Sequence, residues 1–151
     1  VSHRNALYNC ACLAVDGEAV GLVAKRFLAG DGLHYEPRWF KAWPRGHDAL
    51  LRVGRRRVPL GDLYFDLAGV SVGFEICEDA WVATRTGSSL AAVVVDVILN
   101  PSASHFAFAK QEVRSRYVLE GSRAFGVTYV YANPVGNEAG RAIYTAAGSV
   151  H

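Results

Sequence analysis

Apolar and polar positions alternate along much of this chain, and the places where the alternation fails carry the most information. Period-two patterning predicts strands over 7–15 and 19–25, a loop through 48, and short strands over 57–60 and 63–67. Further on it predicts a strand over 70–76, a helix over 79–91, a strand over 94–100, a helix over 107–124, and strands over 127–133 and 142–149. Strands and helices alternate in the second half. The apolar runs at 93–99 and 127–132 suit strands covered on both faces, so the pattern predicts a layered α/β fold. There is no internal repeat, low-complexity tract or linker, and residues 1–151 read as one domain or part of one.

The sharpest break in pattern is Val70-Ser71-Val72-Gly73-Phe74-Glu75-Ile76-Cys77-Glu78-Asp79-Ala80-Trp81. Val70, Val72, Phe74 and Ile76 read as a strand, whereas Glu78 and Asp79 suit the first turn of a helix. Cys77 falls at the bend, where backbone N–H groups at a helix start can lower a thiol pKa and bind a developing oxyanion. Taken alone, Cys77 could equally be an ordinary buried cysteine.

Composition narrows the class. At 51% apolar and 20% charged residues the chain is ordinary for a globular protein, and the net charge of +2 is too mild to require a nucleic-acid partner. Arg52, Arg55, Arg56 and Arg57 form a local basic run between Gly54 and Pro59; it reads as a solvated turn, with a protein or nucleotide contact as the alternative. The longest apolar run, Leu90 to Val95, is broken by Asp96, which argues against a membrane span. The chain begins at valine and contains no methionine, so its first residue does not read as a translation start. Cys10 and Cys12 share one face of a strand, cannot form a local disulfide and are expected in the core; unpaired thiols suit the cytoplasm. His3, His34, His47, His105 and His151 are scattered without metal-ligand spacing, so no metal is expected.

Three blocks together resemble the nitrilase superfamily, the carbon–nitrogen hydrolases, and especially the glutaminase domain of glutamine-dependent NAD synthetases. The first is Gly21-Leu22-Val23-Ala24-Lys25-Arg26-Phe27-Leu28 with His34-Tyr35-Glu36-Pro37-Arg38-Trp39-Phe40. The cysteine segment is the second. The third is Ile98-Leu99-Asn100-Pro101-Ser102-Ala103-Ser104 followed by Lys110, Arg114 and Tyr131-Ala132-Asn133-Pro134-Val135-Gly136. The resemblance implies a four-layer α-β-β-α sandwich, incomplete at both ends here, with 1–151 the central part of one glutaminase domain. It departs from the family in one important respect: the stretch before Lys25 is too short to hold the family's first catalytic glutamate. Asp31-Gly32 also replaces a substrate-contacting tyrosine of many bacterial members.

By the same resemblance Cys77 is the nucleophile, Lys25 and the backbone N–H of Glu78 hold the oxyanion, and Glu36 orients Lys25. Ser104 and Lys110 would hold the amino-acid end of glutamine. Each has a plainer reading: Lys25 as a surface lysine, Glu36 as a loop carboxylate paired with Arg38, Ser104 as turn chemistry, Lys110 as helix surface. Amide hydrolysis would need no cofactor. ATP and deamido-NAD would belong to a synthetase domain, of which this chain has no phosphate-binding Gly-x-x-x-x-Gly-Lys loop. Partners implied are glutamine or another small amide, that synthetase domain, and further copies in a homo-oligomer. A free-standing amidase or nitrilase, and a non-catalytic interaction module of the same fold, remain as alternatives.

Overall fold

The structure is a computed structural model and describes residues 1–31, 33–138, 142–144 and 148–151. It divides into two compact units, Val1–Leu63 and Tyr64–His151.

The first unit is built on antiparallel hairpins. β1 (Ser2–His3) and β2 (Ala6–Leu7) form a short ribbon turned by Arg4 and Asn5, both with positive φ. β3 (Cys10–Val15) and β4 (Glu18–Ala24) are joined by Asp16-Gly17, at φ of 52° and 78°. An Asp-Gly pair tolerates the left-handed backbone that matches strand twist in a two-residue hairpin. A one-turn helix α1 (Glu36–Trp39) follows, then β5 (Asp48–Val53) and β6 (Arg56–Gly61). The sheet order is β3-β4-β6-β5, with β4 and β6 parallel. Its core is Leu22, Ala24, Trp43, Val58 and Leu60, with Tyr8 edge-on to Trp43 at 4.8 Å.

Two expectations change here. The predicted loop through 48 contains α1 and gives way to β5, and the predicted strand 57–60 is β6, so the basic run straddles the β5–β6 hairpin. All four arginines are exposed, as a solvated turn requires, and Arg56 pairs with Glu18. Cys12 is exposed and only Cys10 packs against the core, because Cys12 lies further along β3, where the strand no longer covers apolar side chains. Gly32, one half of the Asp31-Gly32 pair, lies outside the described residues.

The second unit alternates strands and helices around a five-stranded sheet. β7 (Tyr64–Leu67) and β8 (Val70–Phe74) form a hairpin through Ala68-Gly69, whose turn is tied by the Gly69 N–H to Asp66 Oδ1 at 2.9 Å. A 3-10 turn (Cys77–Ala80) and helix α2 (Thr86–Ala92) lead to β9 (Val97–Pro101). Helix α3 (Lys110–Phe125) leads to β10 (Thr128–Ala132) and stops at Gly126, whose φ of 67° permits a left-handed C-cap. β11 (Gly136–Glu138) pairs with β12 (Ala142–Tyr144), and β13 (Gly148–Val150) pairs antiparallel with β10. The order is β13-β10-β9-β8-β7, with β8, β9 and β10 parallel.

The single helix predicted over 79–91 is broken in two. Residues 81–85 include Val82 and Thr84, poor helix formers, and the chain is extended at Arg85 (φ −47°, ψ 139°) before α2 begins. The strand predicted over 94–100 starts later because Val94 has φ 58° and Asp96 is held by Ser71. Of the strand predicted over 142–149, residues 145–147 lie outside the described residues, and β12 and β13 occupy its two ends in different sheets. The core is Leu90, Val95, Ile98, Val118, Val127, Tyr129 and Tyr131. Ile98, the second residue of β9, is fully buried. Replacing Ile98 by Ala is expected to cost about 2–5 kcal/mol and Ile98→Val about 0.5–1.5, since each deletes buried methyl groups and leaves a void; denaturant unfolding of the two variants against wild type measures both.

Candidate functional site

In the first unit, β4 runs apolar and buried up to Ala24 and then delivers Lys25, which is 2% exposed. That burial removes the surface-lysine reading. The Lys25 backbone is pinned on both sides: its N–H donates to the Asn9 carbonyl at 2.9 Å and its carbonyl accepts from the Trp43 N–H at 3.0 Å. The ammonium ion-pairs with Glu36 Oε2. Glu36 Oε2 also accepts from the Ala29 N–H at 2.7 Å, and Oε1 accepts from Asn9 Nδ2 at 2.7 Å. Burial pushes the Glu36 carboxyl up, but the bonds from Lys25, Ala29 and Asn9 outweigh it and hold the group below its ordinary value. Glu36 is therefore the partner of Lys25, while Arg38 lies over the Trp39 ring at 5.6 Å.

In the second unit, the carboxyl ends of β8, β9 and β10 lie side by side, the edge at which open parallel sheets bind ligands. Cys77 follows β8 and is half-buried. Its φ is 48°, a left-handed conformation that a non-glycine residue adopts only when its surroundings impose it. The turn is fixed from both sides. The Glu75 N–H donates to the Leu99 carbonyl at 3.0 Å, and the Ile76 N–H donates to Asp79 Oδ2 at 3.2 Å, with Asp79 itself buried. Glu78 is half-buried, and its carbonyl accepts from the Trp81 N–H at 2.9 Å.

Ser104, beyond the end of β9, is 4% exposed. Its N–H donates to Asn133 Oδ1 at 2.8 Å, and its carbonyl accepts from Asn133 Nδ2 at 3.1 Å and Arg114 Nη2 at 3.1 Å. Asn133, just past β10, thus ties the ends of two parallel strands together. Lys110 opens α3 and places its ammonium 6.0 Å from the Trp81 ring, four residues beyond Cys77. Cys77, Glu78, Ser104 and Lys110 therefore share one unit, and Lys25 and Glu36 the other.

The sequence reading missed a heavily bonded group in the second unit. Glu75 is fully buried, and its carboxylate accepts from Arg85 Nη2 at 2.7 Å, Arg85 Nε at 3.3 Å, the Gly87 N–H at 2.8 Å and the Tyr129 hydroxyl at 2.5 Å. Burial, reinforced by Glu75, pushes the Tyr129 phenol well up, so it stays a proton donor. A glutamate inside the otherwise apolar run Val72 to Ile76 is the signal that could have found it, since a charge in a buried strand demands a partner. Arg114 is likewise 3% exposed and donates to the Ser104 and His105 carbonyls.

Among the described residues no group of three or more His, Cys, Asp or Glu is placed to hold a metal ion, and no helix is long and apolar enough to cross a membrane.

No family model matches the chain. It is 31% identical over 153 residues to the glutamine-dependent NAD(+) synthetase of Saccharomyces cerevisiae, covering 95% of this chain and 21% of that protein. It is 29% identical to the mouse glutamine-dependent NAD(+) synthetase over 95% of its length. The crystal structure of a glutamine-dependent NAD(+) synthetase from Cytophaga hutchinsonii superposes with a TM-score of 0.88 at 43% identity, covering 99% of this chain and 24% of that one. An amidase of the nitrilase superfamily from Nesterenkonia superposes at 0.63 with 19% identity, over 89% of this chain and 43% of that one, a likeness of fold. The chain spans about a fifth of the length of the curated relatives it matches. Over nearly its whole length the chain is similar to glutamine-dependent NAD(+) synthetases, and its fold is like that of the nitrilase-superfamily amidase.

Proposed function

We propose that residues 1–151 are the central part of one carbon–nitrogen hydrolase domain that releases ammonia from the side-chain amide of glutamine, for use by a synthetase domain that amidates deamido-NAD with ATP. The observation that carries this is Cys77, held at positive φ at the carboxyl end of a parallel strand, in a chain similar to glutamine-dependent NAD synthetases. The left-handed backbone turns the thiol out of the strand line while the next residues start a 3-10 turn.

The Cys77 sulfur attacks the carboxamide carbon, forming a C–S bond and pushing the carbonyl π electrons onto oxygen. The Glu78 N–H stabilises that oxyanion, a role the resemblance gives to Lys25 as well. Collapse of the intermediate breaks the C–N bond, and ammonia leaves carrying the proton lost by the thiol. The resulting γ-glutamyl thioester is cleaved by water to glutamate and free thiol. The proton shuttle belongs, by resemblance, to a glutamate N-terminal to these residues. Glu36 keeps the Lys25 ammonium charged and oriented, a task suited to a half-buried carboxylate that also accepts from Ala29 and Asn9. Ser104 and Lys110 hold the amino-acid end of glutamine, where a hydroxyl and a cation suit an α-carboxylate. The protein acts in the cytoplasm, where its three unpaired thiols persist, and as a homo-oligomer.

Ammonia release from glutamine, asparagine, aliphatic amides and nitriles tests this. Glutamine-selective release is expected from the intact protein and loss of at least about 1,000-fold in Cys77→Ala, since the nucleophile has no substitute. Release only from other amides or nitriles would replace glutamine as substrate, and release that survives Cys77→Ala would end the proposal.

The Lys25–Glu36 pair makes a second prediction. A carboxyl whose folded value lies below its ordinary 4.5 stabilises the fold fully above that value and loses the contribution as pH falls through the lower folded value. Glu36→Gln is therefore expected to be less stable than wild type at neutral pH, with the gap narrowing on acidification below about 4.5. Denaturant unfolding of both proteins over an acid pH series measures the gap; a pH-independent gap would show that the ion pair does not hold the loop.

A further inference from the structure

We propose that Glu75 and Arg85 are positioning residues that hold Cys77 in its left-handed conformation, with Tyr129 as the third member of the clamp. The proposal rests on the reading of Cys77 as the nucleophile.

Glu75 precedes Cys77 by two residues, and its side chain is fastened to α2, to the residue before α2 and to β10. Oε1 takes the Gly87 N–H in the first turn of α2, at 2.8 Å, and Arg85 Nε at 3.3 Å. Oε2 takes Arg85 Nη2 at 2.7 Å and the β10 hydroxyl of Tyr129 at 2.5 Å. Tyr129 in turn accepts from Asn100 Nδ2 at 2.9 Å, which brings in β9. Arg85 is immobilised as well: Nη1 reaches the Tyr117 carbonyl of α3 at 3.5 Å, and its guanidinium lies 5.1 Å from the Phe125 ring and 5.6 Å from that of Tyr129.

Two glycines keep the space open. A Cβ at Gly87 would stand 2.5 Å from the Phe125 ring and 3.0 Å from Glu75 Oε1; one at Gly121 would stand 3.0 Å from Arg85 Nη2. The residue between Glu75 and Cys77, Ile76, is buried and bonded to Asp79. Backbone rotation at Cys77 would therefore have to drag a fixed segment. Nothing in the chemistry of amide cleavage needs a buried Glu–Arg pair on this side of the strand. What the pair fixes is the φ of a cysteine that would relax to negative values if the segment before it were free.

The test uses the intact protein with Glu75→Gln, Tyr129→Phe and the neutral pair Glu75→Gln/Arg85→Gln, each checked for folding by thermal melting. Two quantities are read: kcat and KM for glutamine, and the rate of Cys77 alkylation by iodoacetamide across neutral to alkaline pH, with Cys10 and Cys12 as references in the same sample. Positioning predicts kcat lowered about 10- to 100-fold with KM changed less than about two-fold, as small misplacements of a reacting group do. It also predicts an altered Cys77 alkylation profile with those of Cys10 and Cys12 unchanged. Folded variants with wild-type kcat and a wild-type Cys77 profile would overturn it. So would three profiles moving together, or failure of every variant to fold, because the pair would then be scaffold alone. Should wild type release no ammonia in a Cys77-dependent way, the function proposed above fails, while the Cys77 profiles still decide whether Glu75 and Arg85 set the geometry of the turn.

Discussion

A carboxylate with no exposed surface has to be neutralised where it stands, and in the second unit that requirement organises everything around Glu75. Removing such a group from water costs several kcal/mol, recovered only when its oxygens are fully bonded. Four donors meet that demand, and they come from α2, from the extended residue before it and from β10. The interruption of the helix at 81–85 follows from this: Arg85 must be extended for its guanidinium to reach Glu75 while the next turn offers the Gly87 N–H. Gly87 and Gly121 follow too, because side chains there would fill the space that the pair occupies. Burial works against the Arg85 charge, but the bonds to Glu75 outweigh it and raise the guanidinium above its ordinary value.

The first unit solves a similar problem on a smaller scale. Lys25 is buried at the end of an apolar strand and would be costly without a counter-charge. Glu36 supplies it from the start of α1, and Asn9 and Ala29 satisfy the remaining lone pairs. A one-turn helix with no side-chain cap and no buried residue contributes little stability by itself. It persists because Glu36 is tied to the strand it follows.

Period-two patterning found most of the strands, because a half-buried strand writes its two faces directly into the sequence. It missed β5, where Leu50 and Leu51 were overshadowed by the arginines that flank the hairpin, and it fused the 3-10 turn with α2, since Val82 and Thr84 only weaken a helix and the extended Arg85 that completes the break is held by a tertiary ion pair. Lys25 and Cys77 were legible as residues that end apolar runs. The Lys25–Glu36 bond was legible only through the family resemblance, with Glu36–Arg38 as the plainer alternative, because spacing in a loop does not fix which cation a carboxylate meets. Glu75, Arg85 and Tyr129 were not legible as a group: they are brought together by the parallel order β8, β9, β10, and only the lone charge inside an apolar strand announced that a partner must exist.

The three cysteines show why backbone placement, more than residue type, separates them. Cys10 sits in a regular strand against the core, where burial pushes its thiol up to about 11; it is held protonated and is a poor nucleophile at neutral pH. Cys12 is two residues along the same ladder and exposed, with its Sγ 3.6 Å from the Leu13 carbonyl. Cys77 alone has left the ladder. Its strand stops at Phe74, its backbone turns left-handed, and the segments on both sides are bonded to buried groups. A strand residue can offer its sulfur only to the face its parity dictates, whereas a residue past the carboxyl end of a parallel strand, with φ reversed, is released from that parity. The strain at that single residue is tolerated because the buried pair beneath it resists the motion that would relieve it.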